Sequence, residues 1–477
     1  MLFNSIEFAI FLPIVFILYW FVFNRNLRLQ NLFLVVVSYI FYGWWNWKYL
    51  VLIAFTSFIS YLSGILIGKY RNHKRISLAI NTTNIIVNLF ILGVFKYYNF
   101  FIQSFADLFL NGQTDGLLVR VILPVGISFY TFQALSYSID VYRGKMQPTK
   151  DIVAFFAFLS FFPQLVAGPI ERATNLLTQF YTRRVFDYDR AVDGVSEIIW
   201  GLFKKVAIAD ACAIYVNHVF HDYASQNAST LLLGAICFAI QIYCDFSGYS
   251  HIAIGTARLF GISLMKNFNF PYFSRDIAEF WRRWHISLTT WFRDYLYIPL
   301  GGSRNGKAKT IRNTFIIFLV SGLWHGANWT FIVWGLFHAI LFLPLLILNK
   351  NRCNMDTVAA NKFLPSGKEA LQIIFTFFLT VIGWIIFRSE TISDSYAYIV
   401  SLFDLSLFTL PDIKHFVHPV LLIISVFILI IMEWINRSQS HAMYGIKPVY
   451  LIPLSYLLIG LIFFNIGNES AFIYFQF

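Results

Sequence analysis

The stretch TFIIFLVSGLWHGANWTFIVWGLFHAILFLPLLIL, residues 314–348 of a 477-residue chain, decides the fold class. It contains no Asp, Glu, Lys or Arg, and its ionisable side chains are those of His325 and His338. A straight α-helix of this length would extend about 52 Å, whereas the hydrocarbon core of a membrane is about 30 Å thick. We therefore expect the run to break inside a membrane protein, at Gly322 or Gly326, beside His325.

The composition of the whole chain also favours a membrane protein. Hydrophobic residues make up 58% of the sequence and charged residues 13%, against about 45–50% and about 25% in soluble domains. This shortage of charge excludes a soluble multidomain enzyme, and the high hydrophobicity excludes a disordered chain. The sequence predicts an all-α polytopic membrane protein, a single domain over residues 1–477 with about 11–13 membrane segments.

Apolar runs along the chain give the candidate spans. Several are shorter than the roughly 17–25 residues that a spanning helix needs, so we expect interfacial or re-entrant helices among them. No internal repeat is visible, and no linker separates two domains. The candidate spans are 8–23, 29–45, 49–68, 78–95, 119–139, 152–168, 195–217, 230–256, 312–325, 327–348, 371–387, 418–435 and 449–466.

The basic residues predict how the chain is oriented. Lys and Arg are enriched in cytoplasmic loops, and here they cluster at 25–28, 69–75, 143–150, 183–190 and 304–312. This pattern places the N-terminus on the outer side of the membrane. It also accounts for the net charge of +12 without nucleic acid as a partner.

The segment RDIAEFWRRWHISLTTWFR, residues 275–293, is the first candidate for chemistry. Its aromatic residues and His285 recur at helical spacing, while Glu279, Arg282 and Arg283 lie mostly off that stripe. This pattern predicts an amphipathic helix at the cytoplasmic interface. Arginine matches phosphate geometry, so Arg282 and Arg283 could contact the phosphates of a ligand. Arginine that faces solvent or lipid headgroups is the alternative.

His325 is the second candidate, because an ionisable residue inside a membrane span is by default a functional hypothesis. A neutral imidazole can accept a proton from a hydroxyl as its oxygen attacks an acyl carbonyl. The sequence has no G-x-S-x-G and no H-E-x-x-H motif, and these histidines supply too few ligands for zinc. The residues therefore favour metal-free acyl transfer.

Two alternatives stay open on the residues alone. His325 could be a structural histidine that hydrogen-bonds across helices, and we interpret His338 in that way. The chain could also be a transporter whose histidines relay protons, although transporters often show repeated halves and none is evident here.

Several segments together carry a resemblance to a known family. They resemble the membrane-bound O-acyltransferase superfamily, in particular its bacterial alginate O-acetyltransferase type, and the similarity extends over essentially the whole chain. The segments are 123–144 (LPVGISFYTFQALSYSIDVYRG), 161–173 (FFPQLVAGPIERA), 244–255 (CDFSGYSHIAIG), 267–285 (NFNFPYFSRDIAEFWRRWH), 282–302 (RRWHISLTTWFRDYLYIPLGG), 319–339 (LVSGLWHGANWTFIVWGLFHA) and 383–390 (GWIIFRSE).

The resemblance implies a fold and catalytic residues. The fold is a ring of tilted helices around a thin centre, with one funnel from the cytoplasm and one from outside, and its core is expected at residues 267–348. The expected catalytic histidine of the family falls on His325, and the upstream position falls on His285. The family's DFSGYS segment usually continues with Asp, whereas here it continues with His251, which could alter an ion pair with Arg258 or Arg275.

The resemblance also implies substrates and partners. Acetyl-CoA is the expected donor, without a tightly bound cofactor or metal. An extracytoplasmic SGNH-type acetyltransferase is the expected partner, with alginate-like polysaccharide or peptidoglycan as the acceptor. Transfer of D-alanine to teichoic acid is a less favoured alternative to O-acetylation. Residues expected to contact the donor are Arg172, Arg282, Arg283, Trp324 and Asn328.

The end of the printed sequence, FIYFQF at residues 472–477, is the third candidate. A phenol has a pKa of about 10, so a tyrosyl ester retains more transfer potential than a sugar ester, and Tyr can form covalent intermediates. The segment resembles an F-x-Y-F-x-F motif associated with acyl relay in this superfamily. We hypothesise that Tyr474 accepts the acyl group; an aromatic anchor is the alternative.

Overall fold

The structure is a computed structural model and describes residues 1–114, 116–119, 123–166, 168–360, 362–467, 470 and 472–473. Within these ranges every regular element is a helix, which confirms the prediction of an all-α protein. Short π-helical or 3-10 turns extend or join several of the α-helices, including those at Leu18–Val22, Gly93–Tyr97 and Phe203–Asp210.

The helices of the first part of the chain are mostly apolar. Their N-terminal caps include Ser5, Asn26 and Asp151, each of which accepts a hydrogen bond from a backbone N–H of the first turn. Such caps satisfy donors that a helix leaves free. The helices are α1 (Ile6–Ile17), α2 (Leu27–Asn46), α3 (Leu50–Lys69), α4 (Lys74–Leu92), α5 (Tyr98–Phe109), α6 (Ile127–Tyr142), α7 (Ile152–Ser160), α8 (Phe162–Leu165) and α9 (Tyr188–Leu202).

The helices of the second part include the segments that carry the sequence motifs. Helix α11 is the longest at 32 residues and contains the DFSGYS motif. These helices are α10 (Ala211–His221), α11 (Ala228–Leu259), α12 (Ile277–Arg283), α13 (Ile286–Phe292), α14 (Lys307–His325), α15 (Trp329–Ile347), α16 (Gly367–Arg388), α17 (Ile392–Ser401), α18 (Pro419–Ile435) and α19 (Pro448–Phe464).

The chain forms two compact units. The first contains Met1–Gly194 and Ala253–Met265, and the second contains Val195–Ile252 and Lys266–Phe477. Both candidate histidines and the whole of the predicted core at 267–348 belong to the second unit, whereas Arg172 belongs to the first.

Five helical segments of the described chain are long and apolar enough to cross a membrane. The first of them has 43 residues, about twice the length that one crossing needs, and the 3-10 turn at Trp47–Tyr49 divides it into α2 and α3. The protein is therefore a multipass membrane protein. The segments are Leu27–Lys69, Lys74–Phe109, Ala228–Leu259, Trp329–Ile347 and Gly367–Arg388, with shorter apolar helices at Ile6–Val22, Pro419–Ile435 and Pro448–Phe464.

Two predicted spans differ from the helices that form. The span at 119–139 was expected to be continuous, but α6 begins only at Ile127, after Gly126 with φ 74°. A Cβ on Gly126 would overlap the carbonyl oxygen of Leu165, so glycine permits this close approach. The span at 152–168 breaks at Phe161, where α7 ends and α8 begins.

The run 314–348 that opened the sequence forms a helical hairpin. Its break lies at Gly326 and not at Gly322, because Gly326 has extended backbone between α14 and α15. A Cβ on Gly322 would overlap the carbonyl oxygen of Phe331, and one on Gly335 would overlap that of Phe318. The two glycines thus let α14 and α15 pack backbone against backbone in antiparallel directions, with His325 at the tip.

Candidate active site

His285 lies between two short helices, and the predicted single amphipathic helix over 275–293 is therefore wrong. Helix α12 ends at Arg283 and α13 begins at Ile286. His285 has φ 44° and ψ 54°, a left-handed conformation that is uncommon for a residue with a side chain. Such backbone strain persists only where surrounding contacts fix it, and it is concentrated at functional sites.

Asn267 supplies the contacts that hold His285. Its Oδ1 lies 3.0 Å from Nδ1 of His285 and accepts the Ser287 hydroxyl at 2.9 Å. Its backbone carbonyl accepts the N–H of Ile286 at 2.8 Å, and its Nδ2 donates to Oγ of Ser250 at 3.2 Å. Because Oδ1 is the acceptor of this network, we assign the proton to Nδ1 of His285. Nε2 then carries the lone pair.

His325 is brought beside His285 by the hairpin. The centroids of the two imidazole rings are 6.3 Å apart, although the residues are 40 positions apart in the sequence. Both side chains are buried, with 1% of His285 and 3% of His325 exposed. The sequence motifs predicted both histidines, and the structure places them in one cluster.

Aromatic side chains form the walls around the pair of histidines. Trp324 lies 5.8 Å from the ring of His285, and Trp334 and Phe387 lie 5.0 Å and 5.6 Å from the ring of His325. Phe246 packs edge-on against His285 at 4.7 Å. The described surroundings are thus largely apolar, which favours neutral imidazoles that can accept a proton.

The polar side chains of α12 are bound to one another. Glu279 is 1% exposed, and its carboxylate accepts hydrogen bonds from Arg275 at 3.0 Å and from Arg283 at 2.8 Å. A buried carboxylate needs such partners because removal of a charge from water is costly. The guanidinium of Arg282 donates to the carbonyl oxygens of Asn351 and Asn354, both at 2.7 Å. Arg283 is therefore a buried ion-pair partner and not a solvated interfacial residue.

The other residues predicted to contact a donor lie in different settings. Trp324 lines the histidine pair. Asn328 caps α15 by accepting the N–H of Thr330 at 3.1 Å, and its amide donates to the carbonyl oxygen of Glu390 at 2.9 Å. Arg172 is partly buried in a loop of the first unit. Donor contact by any of these residues stays a prediction.

His338 packs deeper in the same aromatic cluster. It is fully buried, and its ring lies 5.0 Å from that of Trp334, which also contacts His325. Within the described part of the chain neither of its ring nitrogens has a hydrogen-bond partner. Its contacts are those of a packing residue, and the structural interpretation of His338 stays a prediction.

A buried cluster of charges near residue 473 was missed in the sequence. Nζ of Lys205 lies 2.7 Å from Asp210 and 2.8 Å from Asp245, and all three side chains are at most 2% exposed. The hydroxyl of Ser470 donates to Asp210, and the N–H of Ile473 donates to Asp245, both at 2.7 Å. Lys205 and Asp210 lie inside the predicted span 195–217, where charges signal function.

Phe472 links this segment to the histidines. Its ring lies 4.3 Å from that of Tyr249 and 6.0 Å from that of Phe246, which in turn contacts His285. The charge cluster and the ring of Phe472 thus hold Ser470, Phe472 and Ile473 one aromatic layer away from the site. Tyr474, the predicted acyl relay, lies outside the described residues.

His251 forms neither of the ion pairs considered from the sequence. Its Nδ1 lies 2.9 Å from Oε1 of Glu197 in the second unit. Arg258 pairs with Asp193 in the first unit, and Arg275 pairs with Glu279. His251 therefore binds a carboxylate on α9 in place of an interaction with either arginine.

The comparisons with known proteins now identify the family. Residues 149–385 match the model of the membrane-bound O-acyltransferase family. A probable alginate O-acetylase from Pseudomonas aeruginosa is 40% identical over 418 residues, which cover 87% of this chain and 77% of the relative. The chain belongs to the membrane-bound O-acyltransferase family. This confirms the resemblance, and the protein is a multipass membrane O-acyltransferase.

Other members of this acyltransferase family match with different coverage. The peptidoglycan O-acetyltransferase of Helicobacter pylori is 31% identical and aligns over 100% of this chain and 98% of its own. The teichoic acid D-alanyltransferase of Bacillus subtilis is 28% identical over 286 residues, which cover 56% of this chain and 69% of the relative. The similarity thus extends further along the chain for the O-acetyltransferases than for the D-alanyltransferase.

Proposed function

We propose that this acyltransferase moves an acetyl group from acetyl-CoA across the bacterial inner membrane, for O-acetylation of an extracytoplasmic polysaccharide. The observation that carries the proposal is the pair of buried imidazoles, His285 and His325, whose rings lie 6.3 Å apart among aromatic side chains. The relatives named as O-acetylases of alginate and of peptidoglycan support acetyl as the group and a polysaccharide as the acceptor.

In the proposed reaction His325 is the general base. Its neutral imidazole takes the proton of an attacking hydroxyl while that oxygen bonds to the thioester carbonyl carbon. The C–S bond then breaks, and the imidazolium returns the proton to the departing thiolate, which leaves as CoA. The attacking hydroxyl is that of Tyr474 in the relay form of the proposal. A tyrosyl acetate would then pass the group to an SGNH-type partner and on to the polysaccharide.

His285 has a supporting role in this proposal. With the Nδ1 proton directed at Asn267, its Nε2 is an acceptor that can hold a hydroxyl or a water beside the reacting atoms. Since His325 is 3% exposed, the proposal requires aromatic side chains around the pair to move when the donor enters.

The test uses purified protein in sealed proteoliposomes with acetyl-CoA labelled in the acetyl group. The proposal expects release of free CoA and a labelled protein intermediate that disappears in the Tyr474→Phe variant. CoA release without labelled protein would remove the relay but keep the enzyme. Movement of labelled acetyl-CoA without any CoA release would support the transporter and contradict the proposal.

A further inference from the structure

A cleft in the first unit has no assigned role. It forms where α3 and α6 end and α4 begins, and its volume is about 790 Å³, within the range of roughly 300–1,000 Å³ typical of small-molecule sites. Within the described chain, every charged side chain that lines it is cationic: Lys69, Arg71, Lys74, Arg143 and Lys150. We refer to it as the basic cleft.

The floor of the basic cleft is apolar. Side chains of Ile65 and Ile67 on α3, Val141 on α6, and Met146 and Pro148 in the following turn line it together with the cations. Helices α3 and α4 belong to two of the segments long enough to cross a membrane. The cleft therefore offers positive charge to an anionic group and apolar surface to a hydrocarbon portion of the same ligand.

The turn that bears Arg143 and Lys150 is held in place by hydrogen bonds. The hydroxyl of Tyr61 donates to the carbonyl oxygen of Lys150 at 2.8 Å, and the hydroxyl of Tyr137 accepts the N–H of Thr149 at 3.1 Å. Gly144 has φ 72°, and a Cβ there would lie 3.3 Å from a guanidinium nitrogen of Arg71. A preformed arrangement of cations loses less entropy when a ligand binds.

Most of these cations are not neutralised by the protein. Within the described residues Lys69, Arg71, Lys74 and Lys150 form no ion pair with an acidic side chain, and all four are exposed. This differs from Arg275 and Arg283 of the second unit, whose guanidinium groups bind Glu279.

We propose that the basic cleft binds the headgroup of an anionic phospholipid. Its phosphate diester lies among Arg71, Lys74 and Arg143, and the glycerol end of its acyl chains lies against Ile65 and Val141. Basic pockets between membrane helices bind such headgroups because the cations neutralise the phosphate at the membrane surface. The apolar floor between membrane-length helices favours a lipid over a free phosphate or the phosphates of CoA.

The experiment measures lipid selectivity of the full chain by native mass spectrometry. The protein is incubated in detergent with equal amounts of phosphatidylglycerol and phosphatidylcholine of the same acyl chains. The test variant carries Arg71→Ala, Lys74→Ala and Arg143→Ala. The matched control carries Arg304→Ala, Lys307→Ala and Lys309→Ala, which remove the same charge from another basic loop that does not line the cleft.

The wild-type protein and the control are expected to retain phosphatidylglycerol preferentially. The test variant should show a preference at least about fivefold lower, since a single cation near an anionic headgroup contributes roughly that factor. Equal loss in both variants, or no preference in the wild type, would overturn the proposal. Displacement of bound phosphatidylglycerol by acetyl-CoA would overturn it too, because the cleft would then hold donor phosphates. Unchanged melting temperatures show that the variants are folded.

Discussion

Asn267 is the residue whose removal tests how His285 is positioned. Its amide oxygen holds Nδ1 of His285 at 3.0 Å and the Ser287 hydroxyl at 2.9 Å. Asn267→Ala should lower CoA release about 10–100-fold, because a small displacement of a reacting group has a cost of that size. Asn267→Asp keeps the acceptor oxygen and should restore part of the rate. Equal rates for wild type and the alanine variant would contradict this role.

Glu171 is the residue expected to make stability depend on pH. It is fully buried in the first unit, and burial raises the pKa of its carboxyl from 4.5 to about 7, against the opposing effect of hydrogen bonds from the Met265 N–H and Asn175. The folded state then binds more protons than the unfolded state between these values, so this contribution to stability falls as pH rises from about 4.5 to 7.

The Glu171→Gln variant provides the matching measurement. Glutamine keeps the size of the side chain and does not ionise, so the melting temperature of the variant should change less between pH 5 and pH 7.5 than that of the wild type. Between pH 5 and pH 7.5, the free energy of unfolding of the wild type should fall by roughly 1–3 kcal/mol more than that of the variant. Parallel pH curves for the two proteins would show that Glu171 does not titrate in this range.

At the scale of elements, the placement of Ser470 and Ile473 depends on the buried charges of α11 and of the π-helical turn Phe203–Asp210. Asp245→Asn keeps the shape but weakens the attraction to Lys205 and to the N–H of Ile473, which lie 2.8 Å and 2.7 Å away. We expect this variant to lose labelled acetyl-protein to the same extent as Tyr474→Phe. The double variant Asp245→Asn/Tyr474→Phe should form as much labelled acetyl-protein as either single variant. Additive losses of labelled acetyl-protein would show that Asp245 acts independently of Tyr474.

The hairpin of α14 and α15 depends on its glycines. Gly335→Val should lower stability by about 1–3 kcal/mol, because its side chain would overlap the carbonyl oxygen of Phe318. Gly460→Ala in α19 is the control, since a Cβ there meets no atom within 4 Å and alanine favours a helix interior. Thermal unfolding in detergent measures both, and a stable Gly335→Val variant would contradict the packing.

The hairpin also fixes which loops lie on one side of the membrane. Nζ of Lys307 donates to the carbonyl oxygen of Ile347 at 3.2 Å, so the loops before α14 and after α15 are on the same side. Cys353 follows α15 and is exposed, whereas Cys212, Cys237 and Cys244 are buried. In intact spheroplasts Cys353 should resist a membrane-impermeant maleimide and react after permeabilisation. Labelling without permeabilisation would reverse the predicted orientation.

At the scale of the whole molecule, composition and apolar runs predict the all-α membrane class, because a helix that crosses lipid needs a long run of apolar residues. They do not predict where backbone breaks inside an apolar run. The single helix expected over 275–293 divides at His285, since Asn267, outside this segment, accepts the N–H of Ile286 and holds the side chain of His285. The same limit explains why the sequence left the break of the run 314–348 open between Gly322 and Gly326.

The sequence predicts which residues belong to the candidate site, but it does not predict how they are arranged in space. Two histidines 40 positions apart could be identified from their motifs, whereas their distance of 6.3 Å depends on how α12, α13 and the hairpin pack. Lys205, Asp210 and Asp245 were missed because they lie inside the apolar runs 195–217 and 230–256, and the sequence does not show that these two runs are neighbours. Only long-range contacts show that these charges bind each other, Ser470 and Ile473.

The most direct measurement of the central claim is the rate of CoA release by purified His325→Ala and His338→Asn in nanodiscs. His338 is the control because its imidazole is buried in the same cluster but has no proposed role in proton transfer. Loss of a general base should lower the rate of His325→Ala about 10²–10⁴-fold, with insertion and fold intact, while His338→Asn stays within about tenfold of the wild type. A folded His325→Ala protein with the wild-type rate would contradict the account.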